Sequence, residues 1–211
     1  MKIKTLPVGP IQANCYLMSD NNGNCLIIDP GEEPAKIQEA ITKAQLTPIA
    51  ILLTHAHFDH IGALEPIRKH YNVPVYIHKE ENLWLRNAEL NGSAKYPMLQ
   101  PVMCELADHV IDREGTLQIG PFEVEVRHTP GHSPGSLSYV FHKDRLVIVG
   151  DTLFRQGIGR TDLPGGNTHQ LLTAIEQKLL SLDDDYKVYP GHGPKTTPKD
   201  EMDSNPFLNG Y

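Results

Sequence analysis

Three imidazoles and a carboxylate fall within six positions of the stretch Thr54-His55-Ala56-His57-Phe58-Asp59-His60, directly after the apolar run Ile49-Ala50-Ile51-Leu52-Leu53. On an extended segment residues i and i+2 point the same way, so His55 and His57 converge on one metal ion from a strand end. A turn into helix near Asp59 sends Asp59 and His60 elsewhere, as a second pair of O and N donors with room for a second ion. Packing alone gives no reason to set so many groups that are costly to desolvate against a buried strand.

Further donors follow the same plan. The turn Thr129-Pro130-Gly131-His132-Ser133-Pro134-Gly135 presents His132, with glycines for close backbone approach and prolines to limit movement. The apolar strand Leu146 to Val149 runs out into Gly150-Asp151-Thr152, and Asp151 has two oxygens with which to bridge two ions. The short strand Lys187-Val188-Tyr189 leads to Pro190-Gly191-His192-Gly193. The seven donors divide into His55, His57 and His132 around one ion and Asp59, His60 and His192 around the other, with Asp151 between them. The remaining histidines, His70, His78, His109, His128, His142 and His169, read as structural or solvated, with His128, near the His132 turn, and His169, near the Asp151 loop, also open to binding or supporting a metal. Asp29 is open between a plain turn residue and a hydrogen-bonding support for a ligand.

The elements that must position these donors are legible from periodicity. Lys2 to Leu6, Ala13 to Ser19 and Asn24 to Ile28 read as strands, with a hairpin signal at Asn22-Gly23. Glu32 to Gln45 reads as an amphipathic helix, Ile49 to Leu53 as a strand, Gly62 to Tyr71 as a helix and Val75 to His78 as a strand. Glu80 to Leu90 is expected to be helical, with Trp84 packing at the base of a loop running from Asn91 through Pro101. A second sheet-forming half is expected from strands at His109 to Asp112, Thr116 to Ile119, Phe122 to His128, Ser136 to His142 and Arg145 to Val149. A helix from Asn167 to Ser181, capped by Asn167 or Thr168, follows.

Length and charge bound the function. With 211 residues, 39% hydrophobic and 21% charged, the chain reads as a single domain, residues 1–211, with a sizeable core. No apolar run approaches the roughly 20 residues of a membrane span, and Met1-Lys2-Ile3-Lys4-Thr5 has no export-type apolar core, so a cytoplasmic place is expected. The formal net charge of -7 and scattered basic residues argue against nucleic acid and for a small substrate. Cys15, Cys25 and Cys104 lack CxxC spacing and read as buried hydrophobes in a reducing compartment.

The set HxHxDH followed by His, Asp and His resembles the metallo-β-lactamase superfamily at each of the seven positions, over Ala13 to Gly193. The resemblance implies an α/β fold, an αββα sandwich of two mixed sheets flanked by helices, with the site along one edge of the sheets. It also implies two divalent metal ions, zinc foremost, with iron and manganese also compatible with such ligands. Within the superfamily the chain is similar to the glyoxalase II-like hydrolases of small thioesters, in particular the short type without a C-terminal helical domain. Gly157-Ile158-Gly159-Arg160 resembles their GCG-K/R loop, which implies that Arg160 meets the carboxylate of a glutathione moiety. Ile158 replaces the Cys of that loop, and Asp162 stands where long members carry Tyr.

Two adjacent ions lower the pKa of a shared water from 15.7 to roughly 7, so the expected reaction is hydrolysis of a thioester, with Asp59 orienting the nucleophile and taking its proton. The rival is a persulfide dioxygenase, which the chain also resembles through Gly159-Arg160-Thr161-Asp162. Such an enzyme would hold iron on His57, His132 and Asp151. Lactone hydrolysis is a further alternative, as is a noncatalytic metal-binding module. The absent export segment argues against a secreted β-lactamase, and the absent basic surface against a nuclease.

Overall fold

The computed structural model describes residues 1–96, 98 and 100–208. Two compact units account for the chain, Met1–Asp112 with Ile119–Phe122, and Arg113–Gln118 with Glu123–Tyr211.

The first unit carries β1 (Lys2–Val8), β2 (Ala13–Ser19), β3 (Asn24–Ile28), α1 (Pro34–Lys43), β4 (Thr47–Leu52), α2 (Phe58–Ile61), α3 (Leu64–Tyr71), β5 (Val75–His78) and β6 (His109–Ile111). The six strands form one sheet in sequence order, antiparallel across β1, β2 and β3 and parallel from β3 to β6. At the β2–β3 hairpin Asp20 Oδ1 accepts the backbone N–H groups of Asn22 and Asn24, both at 2.9 Å, which satisfies the turn locally. Every residue from Cys25 to Ile28 is buried, as the continuous apolar run of an inner strand implies. One side of the sheet packs Leu17, Cys25, Ile27, Ile51 and Ile77 against Ile37 and Ile41 of α1 and Leu64 and Ile67 of α3.

Two expected helices differ from the structure for local reasons. The segment Gly62 to Tyr71 does not start at Gly62, because Pro66 has no N–H to give the Gly62 carbonyl one turn earlier. The backbone therefore breaks after α2 and restarts with Pro66 inside the first turn of α3. Lys79–Arg86 is a 3-10 segment, stopped by Asn87 in extended conformation, rather than a helix to Leu90. Of the loop expected to follow, Pro97 and Leu99 lie outside the described residues. Cys15, Cys25 and Cys104 are free and buried. Burial pushes the Cys25 and Cys104 thiols up to about 12 and that of Cys15 well above the ordinary range, so all three stay neutral.

The second unit contributes β7 (Gly115–Ile119), β8 (Phe122–His128), β9 (Leu137–Phe141), β10 (Leu146–Gly150), the short pair β11 (Leu153–Phe154) and β12 (Gly157–Ile158), α4 (Thr168–Ala174), β13 (Lys187–Pro190) and α5 (Pro198–Ser204). Its sheet runs β13-β10-β9-β8-β7, with β13 and β10 parallel and the β10–β9 and β9–β8 pairs antiparallel. Asn167 caps α4 by accepting from Gln170 N at 3.0 Å, and the helix continues as a π turn over Ile175–Leu179. Leu171, Ile175 and Leu179 bury against Val140, Val147, Val149 and Val188 of this sheet. The β11–β12 pair and α5 carry no pattern that periodicity picks out. Among the described residues no helix is long and apolar enough to cross a membrane.

Candidate metal centre

In the first unit β4 delivers Leu53 and Thr54 to the sheet edge beside the end of β3, where Asp29 sits at φ 50. Asp29 Oδ1 accepts the Thr54 N–H at 2.8 Å and Oδ2 accepts the Thr54 hydroxyl at 2.6 Å. Asp29 Oδ2 also lies 3.0 Å from His60 Nδ1. Thr54 thus gives its one hydroxyl hydrogen to Asp29 and meets His55 Nδ1, 3.0 Å away, as an acceptor. Both imidazoles consequently carry hydrogen on Nδ1 and a lone pair on Nε2, the tautomer that serves a metal.

Asp29, His55 and His60 offer donor atoms within 4.8 Å of one another. The Asp29 carboxylate already serves Thr54 and His60, so of its two open readings the geometry favours the hydrogen-bonding support.

The rest of the motif is held by the backbone. His55, His57 and His60 are buried, and the His57 ring lies 5.9 Å from that of Trp84, a core residue as expected. Glu81, itself buried, accepts from Ala56 N between the first two histidines, and Asn91 O accepts from Phe58 N at 2.9 Å. A Cβ on Gly31 would lie 1.9 Å from the Asp59 carbonyl oxygen, so glycine lets the chain after β3 pass directly against the start of α2. Asp59 Oδ2 stands 3.6 Å from His60 Nε2.

In the second unit His132 is buried, with Nδ1 2.8 Å from the Arg160 carbonyl oxygen, which again leaves Nε2 as the basic nitrogen. Asp151 Oδ2 lies 3.6 Å from His132 Nε2 and 3.6 Å from His192 Nε2. A Cβ on Gly159 would fall 1.9 Å from the Asp151 carbonyl oxygen and 3.1 Å from His132 Cβ. His128, expected to be structural, places Nε2 2.8 Å from the Pro134 carbonyl oxygen and so braces the turn that presents His132.

These distances test the fit of a metal. Separations of 3.6 Å are too long for a direct hydrogen bond. Two donors bound at about 2.1 Å to one tetrahedral ion stand about 3.4 Å apart, so the three pairs have the spacing of shared ligation.

Arg160 forms a two-point ion pair with Asp162, Nε to Oδ1 at 2.7 Å and Nη2 to Oδ2 at 2.6 Å, on an exposed surface. It also lines a cavity of about 510 Å³ with Ile158, Thr168, Leu172 and Phe207. Its backbone, which holds His132, and its side chain, which faces this cavity, therefore have separate tasks. Thr54, Glu81 and Gly31 escape sequence reading because each acts through a tertiary contact, not through a repeat or motif; Gly159 stands out in its loop motif, but its approach to the Asp151 carbonyl shows only in the fold.

The model of the metallo-beta-lactamase superfamily matches residues 8–192. A probable metallo-hydrolase of Bacillus subtilis, YqgX, is 55% identical over 212 residues, covering 100% of this chain and 99% of that protein. The hydroxyacylglutathione hydrolase GloC of Haemophilus influenzae is 38% identical over 210 residues, 99% of each chain. Among solved structures, the B3 metallo-beta-lactamase BLEG-1 superposes with a TM-score of 0.97 at 46% identity, covering 99% of this chain and 100% of that one. The di-iron-bound form of TTHA1623 superposes with a TM-score of 0.86 at 38% identity, over 97% of this chain and 100% of that one. Matched in sequence and in structure along nearly its whole length, the chain belongs to the metallo-β-lactamase superfamily, has that family's fold of mixed sheets with flanking helices, and is a metal-dependent hydrolase.

Proposed function

We propose that the chain works as one functional domain with a dinuclear centre, and that it hydrolyses a small thioester of the hydroxyacyl-glutathione type in the cytoplasm. His55, His57 and His132 would hold one ion, Asp59, His60 and His192 the other, and Asp151 both. The observation that carries this reading is the position of Asp151 Oδ2, equally 3.6 Å from Nε2 of His132 and Nε2 of His192. Divalent ions bound there supply Lewis acidity and an acidified water near neutral pH.

The chain's own groups do the rest. Asp59 orients the attacking water and accepts its proton, while Asp29 and the Thr54 hydroxyl hold His60 and His55 in the ligating tautomer. A thiol leaving group has a pKa of about 8.5, so no dedicated general acid is required. The likeness to a hydroxyacylglutathione hydrolase supports the substrate class. The likeness to a B3 metallo-beta-lactamase favours β-lactam hydrolysis as the second reading.

Metal analysis paired with parallel thioester, β-lactam and persulfide assays tests this. We expect about two ions per chain at saturation, zinc or iron by availability, and turnover of the thioester. Saturation at a single iron with persulfide-dependent oxygen uptake would instead assign the oxygenase triad of His57, His132 and Asp151.

Arg160 is the proposed contact for a substrate carboxylate remote from the thioester. Because Asp162 already takes its Nε and Nη2, a single charge-assisted bond is expected, and Arg160→Ala should cost about 1.5 kcal/mol, roughly tenfold in KM. A short acyl thioester lacking that carboxylate should be indifferent to the change. Equal losses on both substrates would remove Arg160 from substrate recognition.

A further inference from the structure

Two buried polar side chains near the end of α5 have no part in the chemistry above. Glu201 is a wholly buried carboxylate whose partners, among the described residues, are all neutral. Its Oε2 accepts from Gln156 N at 2.8 Å and from Asn205 Nδ2 at 2.7 Å, and its Oε1 accepts from the Thr196 hydroxyl. A carboxylate tolerates such burial only where donors fill its acceptor capacity. Asn205 extends the network, donating from Nδ2 to the Gly157 carbonyl at 3.1 Å and accepting from Phe207 N at 3.0 Å.

Gln156 lies in the corner between β11 and β12 and Gly157 opens β12, and that corner is poorly equipped to hold itself. Leu153 pairs with Ile158 and Phe154 with Gly157, which leaves Arg155-Gln156 as a two-residue turn. Gln156 sits at φ 58, a conformation such turns normally give to Gly or Asn. Two rungs are too few for an independently stable hairpin. The chain leaving the corner then sets Gly159 against the Asp151 carbonyl and carries the Arg160 carbonyl that meets His132 Nδ1. Phe207, fixed by Asn205, lines the cavity beside Arg160.

We infer that Glu201 and Asn205 are positioning residues. They brace the β11–β12 corner, through it orient the imidazole of His132, and with Phe207 set a wall of the cavity beside Arg160. The effect on metal rests on the proposed dinuclear reading, whereas the bracing of the corner does not.

The test has a metal-free arm and a cobalt arm, with Leu179→Ala, a truncation in the same core, as the control for simple loss of stability. In the metal-free protein, Glu201→Gln and Asn205→Ala should each speed hydrogen exchange of the Gly159 amide, which donates to Thr152 O at 3.2 Å, by tenfold or more relative to the Val147 amide. In the cobalt-loaded protein the affinity for the more weakly held ion should fall about tenfold, with shifted visible bands. Adding Gln156→Gly to Glu201→Gln should recover part of both, because glycine adopts the corner unaided. Asn205→Ala leaves Glu201 and its other partners in place and serves if Glu201→Gln fails to fold. Variants that lose thermal stability as Leu179→Ala does, with Gly159 exchange and cobalt bands unchanged, would overturn the inference. A wild-type protein that takes up no cobalt overturns the dinuclear reading and the metal half of the inference, while Gly159 exchange still decides the bracing.

Discussion

Asp59→Asn should lower thioester turnover by at least about a hundredfold, roughly 2.7 kcal/mol of barrier, in a protein that keeps its fold. The substitution preserves side-chain size and removes a charge, so only functions that need a carboxylate are lost. Asp59 Oδ2 stands 3.6 Å from His60 Nε2, at ligand spacing, and the side chain is 16% exposed, enough for water to reach it. The backbone of the residue is held independently of that carboxylate. Its carbonyl lies where a Cβ on Gly31 would come within 1.9 Å, and Phe58 N, one residue earlier, is tied to Asn91 O. Circular dichroism and thermal melting should therefore stay close to wild type. The loss should appear in kcat together with weaker retention of one ion, since the side chain is proposed both to ligate and to take a proton. Hydrolysis within tenfold of wild type, less than about 1.4 kcal/mol, would show that Asp59 has neither role.

How much of this could be read in advance differs between strands and supports. The run Asn24 to Ile28 was readable to the residue because a turn signal, a continuous apolar stretch and Asp29-Pro30-Gly31 bound it on both sides. Asn167 announces α4 because its side chain caps the helix through a local bond. The candidate donors are visible because each lies in the turn or short helix just beyond a strand. Glu201 is invisible by the same logic. It lies in α5 among exposed charged neighbours such as Lys199, Asp200 and Asp203, and only the fold reveals that it is buried and spans 45 positions to reach Gln156. The β11–β12 pair, with two residues per strand, offers no periodicity. Asp29 occupies an intermediate place: its position after a strand marks it, but only the fold shows Thr54 and His60 beside it.

Gly159→Ala should abolish most activity by a purely steric route, and the expected loss is again about a hundredfold. No positive φ is recorded at Gly159, so alanine meets no backbone-conformational objection there. The obstacle is space: its Cβ would lie 1.9 Å from the Asp151 carbonyl oxygen, 3.1 Å from the Asp151 carbonyl carbon and 3.1 Å from His132 Cβ. None of these atoms is the flexible end of a side chain, so the strand end bearing Asp151, the loop bearing Arg160, or both must shift by roughly 1 Å, a misplacement that can cost about 10²-fold. Either shift disturbs the 3.6 Å spacing of Asp151 Oδ2 with His132 and His192, and pulls the Arg160 carbonyl from His132 Nδ1. Metal content at fixed free zinc should fall along with turnover, which separates this variant from one that impairs substrate binding alone. Gly157→Ala is the matched control two residues earlier. Its Cβ meets only Phe154, at 3.7 and 4.0 Å, and the Gly157 carbonyl that Asn205 holds is retained. That variant should stay within about threefold of wild type, about 0.7 kcal/mol. If Gly159→Ala keeps its metal and its turnover, the close approach of this loop to Asp151 is not what sets the ligand geometry.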